Sequence, residues 1–403
     1  MDIAAGSGRR NRDLRLSNTR VILDALRGGG RFSRAELARR TTLSAQGIAI
    51  ILNALVESGH VLEVDVHGAQ RAQGRPALQY EFNPLRFCVV SLYVGLRYAE
   101  LTLCDARGRP ISENVQFHPG WDVQRIIDES VGRIIDLRVA HAVAHLPLYM
   151  GVVVHGTVDS NTGTVDSPGM GWRLVPLVEL LAERIEAVIT VHDASRAAAL
   201  AESREGMAIG VRRAVVLNFG PEITATHIVD GVPDVGSAGL AGRIGRARIW
   251  SQDQLRYIDD IAGSVAYKNR YVELSGQSIE WATEVTERAA AGDRDAEEAL
   301  ELSFESFARA SMWLITITNP ERLILTGSAG GFLERWRTRI RTRIMELVDP
   351  ALFDGIRIDF TDLGRQAWLR GGVHAVLDHQ RTRELLDQER AANPRILATQ
   401  PEN

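Results

Sequence analysis

Apolar positions in the first eighty residues fall into three helical stripes and two alternating runs. Val21, Ile22, Ala25 and Leu26 repeat at the helical period and stop at Gly28-Gly29-Gly30. Ser33 opens a second helix, Glu36 three residues later completes a capping box, and Leu37 and Ala38 supply the buried side. After the turn Thr41-Thr42-Leu43, Ser44 caps a third helix whose Ile48, Ile51, Leu52 and Leu55 share one face, and Gly59 closes it. Leu62, Val64 and Val66 then alternate with Glu63 and Asp65, which predicts a strand. Beyond a polar loop containing Gly68, Arg71, Gly74, Arg75 and Pro76, the residues Leu78, Tyr80 and Phe82 alternate in the same way. Two short capped helices joined by a tight turn and followed by a hairpin predict a winged helix-turn-helix over residues 17–82, behind a flexible arm at 1–16.

From residue 85 the pattern becomes a mixture of strand runs and amphipathic helices. Cys88–Val94, Ala99–Cys104, Leu148–Val154, Val188–His192, Ala214–Phe219, Thr224–Val229 and Arg322–Thr326 read as strands. Helices are expected over Trp121–Leu137, Leu174–Glu186, Ala194–Glu205 and Ala296–Thr318. Hairpins interleaved with crossover helices predict a large α/β domain over 85–380, two lobes around a cleft, followed by a polar tail at 381–403 that is partly disordered.

Composition narrows the function classes. The apolar share of 45% and charged share of 24% are those of an ordinary globular chain, and no apolar run is long enough to span a bilayer. With Arg9, Arg10, Arg12 and Arg15 but no apolar run behind them, the start does not read as a signal peptide, so a cytoplasmic location is expected. Two cysteines, Cys88 and Cys104, both in strand-like runs, exclude a disulfide framework and a cysteine zinc site. The net charge of −4 divides into about +5 over residues 1–80 and −9 over the remainder. A basic head on an acidic body suggests that the head meets a polyanion.

The third helix carries the chemistry for reading one. Opposite its apolar face lie Gln46, Ala49, Ile50 and Asn53. Gln and Asn amides can pair with adenine in the major groove, and Ala and Ile can touch a thymine methyl, so an A·T-containing operator is expected. Packing of Ile50 inside a dimer is the alternative. Arg20, Arg34, Arg39 and Arg40, with Ser44, are candidate phosphate contacts. Arg71 and Arg75 flank Gly74, and a Gly-Arg-Pro turn can lay a guanidinium into a narrow minor groove; as solvated loop charges they have a simpler role.

The body resembles the ROK family (repressors, open reading frames and sugar kinases). The resemblance rests on Gly151-Val152-Val153-Val154-His155-Gly156-Thr157-Val158-Asp159 with Thr162-Gly163, on Ser167-Pro168-Gly169-Met170-Gly171-Trp172, and on His192-Asp193-Ala194 through Glu202. Gly236 to Gly245 and Leu325-Thr326-Gly327-Ser328 continue it in order, and the helix-turn-helix with Gly74-Arg75-Pro76 and Asn83-Pro84 is similar to the repressor branch. The resemblance implies an α/β fold: a winged helix-turn-helix plus a two-lobed actin/ribonuclease-H-like, sugar-kinase-type domain. It also implies that Asp193 stands where family kinases keep a catalytic base.

Departures from the family pattern argue against kinase chemistry. The first phosphate turn reads Tyr93-Val94-Gly95-Leu96-Arg97, without a carboxylate or paired glycines. The second reads Gly220-Pro221-Glu222-Ile223-Thr224, where Pro221 offers no N–H and Glu222 repels phosphate. His192 replaces an Asn, Gly169 replaces an Asn, and Arg243 and Arg246 replace the Glu and His of the family's sugar- and zinc-binding run. With His155 they make the cleft more basic, which suggests an anionic effector such as a sugar phosphate or sugar acid. Pairing of Arg243 with Asp193, or exposure of Arg246 to solvent, are the simpler alternatives. No catalytic residue, metal or cofactor is expected. The resulting expectation is a DNA-binding regulator of carbohydrate-related genes, a repressor, working as a homodimer or a tetramer on an operator in the nucleoid. A constitutive DNA-binding dimer with an unresponsive body and an active sugar kinase are the rival readings.

Overall fold

The computed structural model describes residues 17–64, 78–159, 162–237, 239–251, 253–327 and 336–392, with side chains to residue 380. The expected arm at 1–16, the wing tip with Arg71 and Arg75, Ser328 and the chain beyond 392 lie outside the described residues.

The head consists of α1 (17–27), β1 (Phe32–Ser33), α2 (Arg34–Thr41), α3 (Ala45–Glu57), β2 (Val61–Val64) and β3 (Gln79–Phe82). Ser33 and Glu36 form the capping box at the start of α2, and the Ser44 hydroxyl accepts from the Gly47 N–H at 3.1 Å to cap α3. Between them the chain turns through Thr42, which takes the left-handed conformation at φ 57°. The small sheet runs β1-β3-β2, all antiparallel, and packs with the three helices of the head. The face of β2 that meets the core is set by its partner strand. Val61 pairs with Phe82 and Glu63 with Tyr80, so Val61 is the buried residue of β2 while Leu62 is 38% exposed. Alternation fixes the period of a strand but not which of its two faces meets the core, and here the partner strand decides.

The two lobes repeat one strand plan. In the first, β4 (Cys88–Val94), β5 (Ala99–Cys104) and β6 (Val115–Phe117) are antiparallel, and β7 (Leu148–Val154) and β11 (Val188–Asp193) add on in parallel. Between those two come a three-stranded meander, β8 (Thr157–Asp159), β9 (Thr164–Ser167) and β10 (Trp172–Pro176), and then α5 (Leu177–Ala182). The helix expected from Leu174 thus begins only after Pro176, since residues 172–176 pair with β9. Helix α4 (Val123–Ala140) covers one face of the five-stranded sheet.

Helix α6 (Ala194–Glu205) leads to the second lobe, where β12 (Arg213–Phe219), β13 (Ile223–Val229) and β14 (Val232–Pro233) are antiparallel. A separate hairpin, β15 (Arg248–Ser251) and β16 (Gln254–Tyr257), precedes α7 (Ile258–Ala262), α8 (Ser264–Ser275), α9 (Ala282–Ala290) and α10 (Arg294–Thr318). Strand β17 (Arg322–Thr326) then joins β12 in parallel, and after α11 (Arg337–Leu347) and α12 (Pro350–Phe353) β18 (Arg357–Phe360) joins β17. This sheet, order β14-β13-β12-β17-β18, matches the order β6-β5-β4-β7-β11 of the first. Each lobe has its own apolar core.

The last helix, α13 (Gln366–Ala392), ties the parts together. Its glycines allow close approach: a Cβ on Gly372 would lie 2.2 Å from Ser91 Oγ, and one on Gly151 would lie 2.2 Å from the Gly372 carbonyl oxygen. Arg204 of α6 meets Asp378 at 2.8 Å, and Arg370 Nη2 donates to Glu205 at 2.7 Å. One turn further on, Val373, Val376 and Leu377 enter the core of the head beside Ile22, Leu26, Leu37 and Phe82, together with Phe87, Val89 and Cys104 of the first lobe. The sequence boundary at Asn83-Pro84 therefore does not divide two separate cores.

Candidate functional site

Two regions collect the residues singled out by the sequence. The first is the outer face of α3. Its inner side buries Ile48, Ile51, Leu52 and Leu55, which leaves Gln46, Ile50 and Asn53 exposed, Ile50 at 52%, with Ala49 half-buried between them. Three of the nearby arginines have partners within the head. Arg20 meets Asp24 at 3.8 Å in the open, and Arg40 lies 4.5 Å from the Phe32 ring. Arg34 is the most constrained: its Nε donates to the Tyr80 hydroxyl at 2.8 Å and its Nη2 to Asn53 Oδ1 at 3.2 Å. Arg39 lies in the last turn of α2. The Arg34–Tyr80 link spans 46 positions, and no spacing rule announces it.

The second region is the cleft between the lobes. Parallel pairing of β7 with β11 sets Asp193 beside Val154, so that His155, His192 and Asp193 gather at the ends of two neighbouring strands. Asp193 serves as N-cap of α6: Oδ1 accepts from the Arg196 N–H at 3.0 Å, while Oδ2 meets Arg196 Nε at 2.9 Å. Both side chains are nearly buried, 8% and 14% exposed. The carboxylate is thus engaged by Arg196, a residue the sequence reading did not weigh, and not by Arg243. Gly169 lies exposed in the turn Pro168–Met170, where a Cβ would come 2.8 Å from Leu96 Cδ2.

The two histidines add little positive charge. Burial pushes His192 down to about 4, with Asp193 opposing and Arg196 reinforcing the shift. Burial also lowers His155, against the carboxylates of Glu222 and Asp193. The imidazoles are neutral near pH 7, and His192 Nε2 is buried with no hydrogen-bond partner among the described residues.

From the second lobe, Glu222 stands on the turn between β12 and β13, close enough to His155 for their charges to interact. Asp259, missed by the sequence reading, accepts from the Ile223 N–H at 2.8 Å. Burial raises its pKa to about 6, with Glu222 and Asp260 acting in the same sense and the Ile223 N–H and Arg246 opposing. A Cβ on Gly245 would lie 1.8 Å from Asp259 Oδ1, so only glycine fits there. The consecutive acids Asp259 and Asp260 at the head of an apolar helix were the available signal. Arg243 is half-buried, and Arg246 is exposed with its guanidinium 4.6 Å from the Tyr257 ring. The cleft therefore presents hydrogen-bond acceptors as well as cations.

The two turns that the resemblance assigns to phosphate make contacts of their own. Gly95 closes on the hydroxyl of Tyr93, 2.4 Å from where a Cβ would stand, and the Tyr93 ring stacks on Trp368 at 4.7 Å. From the same turn Arg97 crosses to the other lobe, 4.2 Å from the Trp281 ring. In the second turn Pro221 has no N–H, and the Gly220 carbonyl accepts from the Ser264 N–H at 2.9 Å. Among the described residues no three His, Cys, Asp or Glu side chains come together as a metal site, and no helix is long and apolar enough to cross a membrane.

Comparison with known proteins agrees with this architecture. The chain is 22% identical over 390 residues to the xylose repressor of Caldicellulosiruptor bescii, an alignment covering 90% of this chain and 96% of that protein. It is 28% identical over 221 residues to a transcriptional regulator of Mycobacterium bovis, covering 55% of this chain and 48% of the relative. Among solved structures, a ROK family transcriptional regulator described as a homologue of the E. coli MLC protein superposes with a TM-score of 0.77 at 19% identity, over 93% of this chain and 99% of that one. A ROK family glucokinase from Streptomyces griseus, in complex with glucose and AMPPNP, gives 0.58 at 19% identity over 71% and 98%. The ROK family profile itself matches residues 89–374, which run through both lobes, and the chain belongs to the ROK family.

Proposed function

We propose that this protein is a transcription regulator, a repressor of carbohydrate-related genes, whose two-lobed body senses a small molecule and does not phosphorylate it. One observation carries the reading: a capped helix exposes Gln46, Ile50 and Asn53 on a head whose core is completed by the last helix of the body. The exposed set suits base edges, and the shared core lets a change in the body reach the head. The likeness to a xylose repressor over nearly its full length supports a sugar-linked role.

The effector we propose is a sugar or sugar derivative. Glu222 and Asp259 can accept from sugar hydroxyls, while Arg243 and Arg246 suit a carboxylate or phosphate on the same molecule. Kinase activity is not part of the proposal, because Asp193 is engaged by Arg196, Tyr93 packs against Gly95 in the first turn and Pro221 brings no N–H to the second. The protein would act in the cytoplasm as a symmetric dimer on two half-sites, without a cofactor. The engagement of Asp193 favours one second reading, a constitutive DNA-binding dimer whose body takes no ligand.

The test is selection of bound duplexes by the purified full chain, repeated with neutral sugars, sugar acids and sugar phosphates, alongside thermal melts. A palindromic site whose occupancy changes with one compound that also raises the melting temperature supports the sensor. Selective binding indifferent to every compound leaves the constitutive reader. No selective binding overturns the DNA-reading function.

A further inference from the structure

The two lobes have separate cores and are bridged by helices: α6 packs against β12 and β13 of the second lobe, and α13 against α6 and against β4 and β7 of the first. A different contact spans the cleft itself. Arg97 leaves the exposed turn between β4 and β5, and its guanidinium lies 4.2 Å from the ring of Trp281 at the head of α9. There its Nη1 also donates to the Thr283 hydroxyl at 3.5 Å. Each end is fixed within its own lobe. The Arg97 carbonyl meets His118 Nδ1 at 2.9 Å, and the next residue, Tyr98, is buried with its ring 5.7 Å from that of Tyr93. Opposite, the Trp281 N–H donates to Glu284 at 2.7 Å, and Lys268 Nζ donates to the neighbouring Glu280 carbonyl at 2.7 Å. Among the described residues Arg97 forms no ion pair, so its guanidinium is committed to the other lobe. In the buried part of the cleft Glu222 faces His155, but burial keeps that imidazole neutral, and the two do not attract as an ion pair.

We propose that Arg97 and Trp281 form a latch that holds the two lobes closed on each other when the cleft is empty. A contact made in the closed arrangement and lost in an open one shifts the balance between them by its own strength. A guanidinium on an indole at an exposed site is worth a factor of about two to five, too weak to freeze the lobes and enough to tip a balanced pair of states. The residue types matter, because the flat guanidinium can lie on a ring while a lysine ammonium meets it only as a point charge. For the sensing role proposed above, a ligand entering between the lobes has to part this stack, so the latch raises the concentration at which the protein responds. That consequence rests on the sensing role; the latch does not.

The experiment measures the distance between the lobes in the full chain with no ligand added. Cys88 and Cys104 are fully buried and escape a spin label, so Arg125→Cys on α4 and Glu287→Cys on α9, both exposed positions, report the separation by double electron–electron resonance. The parent is expected to show one dominant short distance. Arg97→Ala should lower the ratio of short to long distances about two- to fivefold, Trp281→Leu by as much, and Arg97→Lys by less. Arg97→Ala and Trp281→Leu together should do no more than either alone, which is the signature of one shared contact. Arg97 is exposed and Trp281 half-buried, so the arginine variant decides the matter if Trp281→Leu does not fold. Distances unchanged by Arg97→Ala overturn the latch, as do additive effects of the two substitutions or a parent that is mostly open. With no ligand present, these outcomes are independent of whether a sugar binds, which thermal melts with sugars decide separately.

Discussion

Gly371 of the last helix faces Ala197 of α6 so closely that a Cβ on the glycine would lie 1.9 Å from the alanine carbonyl oxygen. Both partners are backbone in helices, so neither can swing aside. Gly371→Ala should therefore part the two helices and lower stability by about 1–3 kcal/mol, despite the better helix propensity of alanine. Urea denaturation of the variant checks this. An unchanged midpoint would show that the helices yield freely.

Arg196→Ala should be costly for a different reason. It leaves the Asp193 carboxylate nearly buried with only its helix-capping N–H bond, a loss of about 3 kcal/mol. Adding Asp193→Asn should recover most of it, since a neutral amide still caps the helix. Neither the parent nor Arg196→Ala should turn over ATP in the presence of a sugar. A coupled phosphorylation assay that detects turnover in the parent would refute the kinase-dead reading.

Acid should weaken the fold through the cleft histidines. The folded chain keeps His192 neutral down to about 4 and also lowers His155, whereas an unfolded histidine protonates near 6.5. Between those limits the unfolded chain binds more protons, so stability is full above about pH 6.5 and falls as the pH drops toward about 4. Asp259 works in the opposite sense. Raised from 3.8 to about 6, it takes up a proton in the folded chain first, and its contribution is lost as the pH rises through about 6. His192 shifts over about the same interval as Asp259, and the lowered His155 adds to the side of His192. His192→Gln should flatten the acid limb by at most about 3 kcal/mol, measured as stability against pH. A curve parallel to that of the parent would show that His192 does not carry the effect.

Ile50→Ala separates reading from packing. At 52% exposure the side chain holds little of the core together, so the melting temperature should barely change, with stability altered by about 0.5 kcal/mol or less. Operator affinity should fall by about 1–2 kcal/mol, with the loss confined to sites carrying thymine opposite that residue. A shift in oligomeric mass on sizing, with DNA affinity per head preserved, would instead place Ile50 in a contact between copies.

What the sequence made legible was local. The Ser33–Glu36 box, the Ser44 cap and strands such as Leu148–Val154 follow from residues within one turn or one run of each other. The body's two-lobed plan followed from the order of its motifs and the resemblance they carry. The face of β2 was not legible, because two residues of alternating character allow either register until Phe82 and Tyr80 choose. Nor was the tether on Asn53, which depends on β3 bringing a tyrosine to a helix that precedes it in the chain. In the cleft, the basic replacements were visible, but burial, which only the fold sets, neutralises both histidines and lifts Asp259. Arg196 lay three residues from Asp193 and was within reach of a local argument. The cap geometry that joins them was the missing step.

The sharing of one core between Ile22, Leu26 and Leu37 at the front of the chain and Val373, Val376 and Leu377 at the back has a consequence for synthesis. Translation delivers the head before the helix that completes its core, which follows both lobes. A nascent or truncated chain would carry three helices with an uncovered apolar flank, and only a finished molecule would present a rigid α3 to DNA. Rigidity of α3 would then report that both lobes are already built.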